Sequence, residues 1–345
     1  MVAFDDAVQL VLPLTHQDAD AAGRTLRTID SGGSTNLSGG WLKGLEMLAT
    51  APRPDALRRI VVLTDGHANV GIVGKNDLVP LVAGGYRQGV TTSLIGFADG
   101  YDEALLAALA DAGMGNDYWC AGPDQAAQVF VDEFGGLASV VAQNVSVEIA
   151  PTDAVAAASV LNEFPITDLP GGAVQVALGD VFGGERRRVV MAFHLRPQPA
   201  AGPVDVATLT IRWAATMGEV ALHTVTVPIT VTAGLDPAAM DPGADPRVTE
   251  EVLVLQAARA RREARDAAER GDYRAASALL SQGAEYLNLA GAPAPAVAEM
   301  QADAAQLAGG YWSAAESKKQ FSRSRSAQRG RRSNYEPPAD PADPA

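Results

Sequence analysis

The chain has 345 residues, of which 47% are hydrophobic, enough for two or three buried cores. The formal net charge of -14 argues against a nucleic-acid-binding body, because phosphate backbones require a basic face. Cys120 is the single cysteine, which favours a reducing compartment, and we expect a cytoplasmic location. No run of about 18 apolar residues predicts a membrane span.

Residues 1–142 alternate predicted strands with predicted helices. The first two strands form a hairpin around Asp5-Asp6. Ile60–Thr64 and Val90–Phe97 are continuous apolar or β-branched runs, typical of parallel strands buried on both faces. A last short strand is predicted at Tyr118–Cys120, and the predicted helices are Leu42–Leu48, Leu78–Gln88, Glu103–Ala112 and Ala126–Val141. This order predicts an α/β domain with a parallel sheet.

The pattern changes twice in the rest of the chain. Residues 143–234 hold segments of period-two alternation separated by Pro and Gly, which predicts an antiparallel β-sandwich. Residues 247–310 predict a helical domain built on a helical hairpin that turns at Gly271. Residues 311–345 are basic and then proline-rich, so we expect a disordered tail, with contact to nucleic acid or anionic lipid as the alternative.

Two short motifs carry the candidate chemistry. The run GGSTNL contains Thr35 and precedes a helix, and LTDGHAN contains Asp65 and ends a buried strand. In an open α/β sheet, ligands gather at the carboxyl ends of the strands, so both motifs are predicted on one edge. A hydroxyl and a carboxylate are hard oxygen donors that suit Mg²⁺. The plainer alternative is a helix cap and a strand-ending turn.

These motifs resemble those of the von Willebrand factor A (VWA) family. The segment GGSTNLSGGWLKGLEML resembles the one that supplies the threonine of the family's metal-ion-dependent adhesion site, and RRIVVLTDGHANVG resembles the one that supplies its second aspartate. The resemblance implies a Rossmann-like fold and metal-binding roles for Thr35 and Asp65. It also implies Mg²⁺, or Mn²⁺ or Ca²⁺, as cofactor, and a partner protein that offers an acidic residue. The β-rich continuation resembles bacterial VWA proteins related to inter-α-trypsin-inhibitor heavy chains.

One family motif is missing from the sequence. The family's Asp-x-Ser-x-Ser, at the end of its first strand, occurs nowhere in this chain. We therefore expect an incomplete VWA domain that lacks the first strand and helix. Omitting a buried strand would forfeit on the order of 10 kcal/mol, so we expect a fragment whose metal binding belongs to a longer form. The alternative is a degenerate domain that fills the gap differently.

Three functional hypotheses follow. The first is a protein-binding module that uses Thr35 and Asp65 to hold a metal. The second is a metal-independent scaffold that binds through its β-sandwich and helices. The third, an enzyme, has the least support, because the sequence contains no P-loop, G-x-S-x-G, zinc or dinucleotide motif. His67 is expected to be an exposed loop residue and Cys120 a buried small hydrophobe.

Overall fold

The computed structural model describes residues 1–30, 32–50, 56–122, 125–127, 129–131, 133, 140–183, 185–215, 221–234 and 245–329. The chain divides into two compact units, residues 1–139 and residues 140–345. Among the described helices, none combines the length and the apolar character needed to cross a bilayer.

The first unit alternates strands and helices, as predicted. Its elements are β1 (Val2–Phe4), β2 (Val8–Leu10), α1 (Ala19–Leu26), α2 (Leu37–Ala49), β3 (Arg58–Thr64), α3 (Lys75–Arg87), β4 (Val90–Phe97), α4 (Glu103–Ala112) and β5 (Met114–Cys120). Helical positions follow within residues 125–133. The helix predicted over Ala126–Val141 was wrong at its end, because Val140 and Val141 begin a strand.

The sheet of this unit is parallel, which confirms the predicted α/β class. Strands β3, β4 and β5 pair in that order, and Val62 lies opposite Leu94. Strands β1 and β2 form the predicted hairpin as a separate antiparallel pair. Strand β4 is buried along nearly its whole length, as its apolar run predicted. Helices α3 and α4 pack against it, and the largest fully buried side chains of the unit include Leu37, Trp41, Leu78 and Leu109.

The second unit begins with antiparallel strands. These are β6 (Val140–Pro151), β7 (Val155–Val160), β8 (Ile166–Asp168), β9 (Val174–Phe182), β10 (Met191–Leu195), β11 (Gly202–Ala215) and β12 (Ala221–Ala233). One sheet has the order β12-β11-β6-β9-β8, and β7 pairs with β10 in a second. Apolar side chains of both sheets, including Ile149, Val155 and Val176, share one core, which confirms the predicted sandwich architecture. Strands β7 and β8 were not predicted.

After these strands, the described part of the second unit contains four helices. They are α5 (Pro246–Glu269), α6 (Tyr273–Leu289), α7 (Ala294–Ala308) and α8 (Ala314–Gln328). Helices α5 and α6 form the predicted hairpin, whose turn uses Gly271 at a φ of 82° that favours glycine. Alanine dominates the buried face of α5, so the helices approach closely around Leu280 and Met300.

Helix α8 lies where we predicted a disordered tail, and the prediction was wrong for residues 314–328. The helix is too polar to pack through an apolar face, and it is held instead by hydrogen bonds to the neighbouring helices. Gln320 Nε2 donates to Asp303 Oδ2 at 2.7 Å, and the Ser324 hydroxyl donates to the Ala258 carbonyl at 2.8 Å. Lys319 Nζ lies 2.7 Å from Asp303 Oδ1. Residues 330–345 of the predicted tail lie outside the described residues.

Candidate functional site

The two predicted motifs lie at the ends of two neighbouring elements of the first unit. Thr35 stands two residues before α2, whose N-cap Asn36 accepts a hydrogen bond from the Gly39 amide at 2.9 Å. Asp65 follows the last residue of β3, at the carboxyl edge of the parallel sheet. Thr35 is half-buried and Asp65 is exposed. A partner molecule could therefore reach the Asp65 carboxylate from solvent.

Hydrogen bonds join the loop of Thr35 to the loop that follows β3. The Thr35 amide donates to Asn69 Oδ1 at 2.7 Å. The Thr35 carbonyl accepts from the amides of Asn69 and Val70 at 3.1 and 3.4 Å. One helical turn further on, the Ser38 hydroxyl accepts from the Ile72 amide at 2.9 Å. The two motifs are thus connected on both sides of Asn36.

The Thr35 hydroxyl lies against the residue that follows Asp65. A Cβ atom built on Gly66 would lie 3.0 Å from Thr35 Oγ1, which is tighter than nine in ten real Cβ contacts. Glycine therefore allows the two loops to approach at this point. The structure brings Thr35 and the Asp65-Gly66 turn together, as the topology of the sheet led us to expect.

Other polar residues near these loops have local structural tasks. Asp5 Oδ1 accepts from the Ala7 amide at 2.8 Å, so Asp5 is a turn residue of the β1–β2 hairpin, as predicted. Its carbonyl accepts from the Asn36 amide at 3.0 Å, and its carboxylate packs against Gly32. His67 is exposed in the loop after β3, also as predicted. Sequence reasoning did not place Asp5 beside the Thr35 loop.

The donors present fit a hard divalent cation in part. Thr35 Oγ1 and the Asp65 carboxylate are oxygen ligands of the kind Mg²⁺ prefers, and Mg²⁺ commonly retains several waters. In the ranges that the structure describes, no three His, Cys, Asp or Glu side chains form a group that could hold a metal. This chain therefore offers two candidate protein ligands at the edge, and the remaining positions would be left to water or to another molecule.

A buried polar cluster on the sheet lies apart from these loops and escaped sequence reasoning. Glu133 is fully buried, and its Oε1 atom lies 2.8 Å from Arg59 Nη1, at the start of β3. Ser93 donates to the same oxygen at 2.5 Å. Asn116 and Tyr118 donate to the other oxygen at 2.8 and 2.9 Å. The sequence feature that could have indicated this cluster is a polar residue, such as Ser93, within an otherwise apolar strand.

The charge of Glu133 is maintained despite its burial. Desolvation raises the pKa of this carboxyl, but the opposing Arg59 charge and the hydrogen bonds from Ser93, Asn116 and Tyr118 lower it more. The pKa of Glu133 therefore lies below its ordinary value. The cluster ties Glu133 to strands β3, β4 and β5, which makes it a structural feature of the domain.

Comparison with known proteins confirms the predicted resemblance. Residues 1–134 match the family model of the von Willebrand factor type A domain. An uncharacterized protein of Synechocystis sp. is 24% identical over 295 residues, which cover 83% of this chain and 69% of that protein. The uncharacterized protein YfbK of Escherichia coli is 29% identical over 123 residues, or 35% of this chain and 21% of that protein.

Solved structures share the fold beyond the first unit. A von Willebrand factor type A protein from Catenulispora acidiphila has a TM-score of 0.68, covers 96% of this chain and 80% of its own, and is 14% identical. The ArnB paralog VWA2 from Sulfolobus acidocaldarius has a TM-score of 0.50, covers 87% of this chain and 70% of its own, and is 16% identical. At such identities the likeness concerns the fold alone.

Proposed function

We propose that this chain, whose residues 1–134 match the family model of the von Willebrand factor type A domain, is a protein-binding module that uses a divalent metal at an incomplete site, since the sequence contains no Asp-x-Ser-x-Ser motif. Thr35 and Asp65 would be its two protein ligands to Mg²⁺. The observation that carries the proposal is the approach of the Thr35 hydroxyl to Gly66, directly after Asp65. The family match over residues 1–134 supports it, because von Willebrand factor type A domains are generally interaction modules, and many bind a metal at this edge.

Each residue has a distinct task in this proposal. Asp65 supplies negative charge at an exposed position, and Thr35 supplies a neutral oxygen from a half-buried loop. Two such ligands leave several coordination positions to water. When bound, the metal would supply the positive charge that attracts a carboxylate of a partner protein. Because Asp65 is exposed, a cation bound to it would be accessible to that carboxylate.

The geometry favours binding over catalysis. Catalysis by Asp65 as a general base would require a nucleophile or a second titratable group in hydrogen-bond reach. Turnover of a substrate that is lost in Asp65→Ala would argue for an enzyme instead.

Metal titration tests the proposal. Binding to the folded state alone stabilises a protein by about 2.7 kcal/mol at a hundredfold excess over Kd, or roughly 5–10 °C in melting temperature. We expect Mg²⁺ to raise the melting temperature of the chain and calorimetry to detect binding. Asp65→Ala and Thr35→Ala should abolish both effects, whereas Asp153→Ala, at an exposed turn, should preserve them. Equal shifts in all four proteins would refute the assignment of the ligands.

A metal-independent scaffold is the second candidate, and the outer strand of the sandwich favours it. Val225, Val227 and Val231 on β12 are 44%, 39% and 40% exposed. Val225 lies opposite Ile211, and Val227 lies opposite Leu209. Both partners on β11 pack against the sandwich core, so the valines extend its apolar surface onto the outer strand. An exposed apolar strand of this kind is a typical protein-binding surface. This reading predicts that Mg²⁺ leaves the melting temperature unchanged.

A further inference from the structure

Asn69 forms hydrogen bonds with the peptide groups on both sides of Thr35. Its side-chain oxygen accepts from the Thr35 amide at 2.7 Å, and its own amide donates to the Thr35 carbonyl at 3.1 Å. Both peptide groups that flank the Thr35 side chain are therefore held by one residue. Asn69 is itself exposed, so it contributes little to the apolar core.

The Thr35 loop contains Gly32 and Gly33. Gly32 packs against the Asp5 carboxylate, whereas a Cβ atom built on Gly33 would meet nothing within 4 Å. Two consecutive glycines give the backbone a wide conformational range. The orientation of the Thr35 hydroxyl therefore depends on the hydrogen bonds that fix its own peptide groups, together with the cap of α2 at Asn36.

The position of Asn69 links Thr35 to Asp65. Asp65 and Asn69 lie four residues apart in the same loop after β3. A contact that fixes Thr35 to Asn69 also fixes the Thr35 hydroxyl relative to Asp65. The approach of Thr35 Oγ1 to Gly66 is the geometric result.

We infer that Asn69 is a positioning residue for the metal site, which holds the Thr35 hydroxyl beside the Asp65-Gly66 turn. This inference rests on the proposed function. Asn69 acts through Thr35, by accepting the Thr35 amide hydrogen bond, and makes no contact with the metal. Residues that orient a ligand in this way typically change metal affinity about 10- to 100-fold when they are removed.

Ser38 distinguishes positioning of Thr35 from simple tethering of the two loops. The Ser38 hydroxyl joins the same loops by accepting from the Ile72 amide at 2.9 Å, and it makes no hydrogen bond to the peptide groups of Thr35. If tethering were sufficient, losing either Ser38 or Asn69 would weaken metal binding equally. If Thr35 must be oriented, the loss of Asn69 should have much the larger effect.

The experiment combines Mg²⁺ calorimetry with backbone amide hydrogen exchange on the full chain. Asn69→Ala should raise the Kd for Mg²⁺ roughly 10- to 100-fold and accelerate exchange of the Thr35 amide. Asn69→Asp, which retains the acceptor oxygen, should restore slow exchange at Thr35 and metal binding. Ser38→Ala should raise the Kd less than threefold, and Asn76→Ala, on the exposed start of α3, should match the unsubstituted chain.

The possible failures are distinguishable. If the unsubstituted chain does not bind Mg²⁺, the proposed function fails, and Thr35 amide exchange still decides whether Asn69 orients Thr35. If Mg²⁺ binds and Asn69→Ala leaves both the Kd and the Thr35 exchange unchanged, the positioning role is overturned while the metal site stands. Equal losses in Ser38→Ala and Asn69→Ala would also overturn it, in favour of tethering.

Discussion

Substituting Glu133 with Gln tests how much the buried cluster stabilises the first unit. The carboxylate accepts from Arg59 and Ser93 on one oxygen and from Asn116 and Tyr118 on the other. An amide nitrogen in place of either oxygen cannot accept. The substitution also removes the negative charge that faces the Arg59 guanidinium, while changing the side-chain volume very little.

The size of the effect follows from burial. The Arg59 and Glu133 side chains are 5% and 0% exposed, so water cannot replace the lost partner. Removing one member of a buried ion pair costs about 3–5 kcal/mol, because the other charge is left uncompensated. Domains are stable by only about 5–15 kcal/mol, so we expect Glu133→Gln to remove a large share of the stability of the unit.

Urea denaturation followed by tryptophan fluorescence measures this loss. Trp213→Phe and Trp312→Phe would confine the signal to Trp41 and Trp119, both in the first unit. The control is Glu46→Gln, whose exposed pair with Lys43 spans 2.9 Å and should contribute less than about 1 kcal/mol. If Glu133→Gln costs no more than this control, the reasoning from burial is refuted.

The same cluster predicts a dependence on pH. The pKa of Glu133 lies below its ordinary value in the folded state, so its contribution is complete above the unfolded pKa of about 4.3. The contribution is lost as the pH falls through the folded pKa. The difference in stability between the unsubstituted chain and Glu133→Gln should therefore close in acid. A difference that stays constant down to the acid limit would contradict the assignment.

Two further substitutions test the site and the terminal helix. Gly66→Ala would place a Cβ atom 3.0 Å from Thr35 Oγ1, so the hydroxyl must shift and Mg²⁺ affinity measured by calorimetry should fall roughly tenfold. Gly33→Ala, in open space, is its control, and equal affinities would count against the geometry. Asp303→Asn should weaken the ionic contact with Lys319 at 2.7 Å and speed tryptic cleavage within α8, whereas Asp266→Asn on exposed α5 should not. Unchanged cleavage would mean that other contacts hold α8.

The sequence predicted the parts of the fold that depend on apolar periodicity. Strand β4 could be predicted from its run of apolar and β-branched residues, and the β1–β2 hairpin from the polar turn at Asp5. Helix α8 could not be read in this way, because its docking depends on single polar contacts such as Gln320 with Asp303. Short strand β8 is exposed at all three positions and so carries no alternation to detect.

The polar residues of the first unit also differ in whether the sequence could predict their positions. Thr35 and Asp65 could be predicted together because parallel strands bring their carboxyl ends to one edge. Asn69 could not, because an exposed asparagine in a loop leaves no pattern in the sequence that shows which peptide group it holds. Glu133 was missed for a related reason. A single glutamate in a helical segment usually faces solvent, and only the assembled sheet provides its four donors.

Mn²⁺ as a paramagnetic probe tests the metal site most directly. Mn²⁺ binds oxygen ligands of the same kind as Mg²⁺, and it broadens the nuclear resonances of amides close to it. The account predicts selective broadening of the Thr35 and Gly66 amides, which Mg²⁺ competes away and Asp65→Ala abolishes. Broadening that is absent from these amides, or that persists unchanged in Asp65→Ala, would contradict a metal site at Thr35 and Asp65.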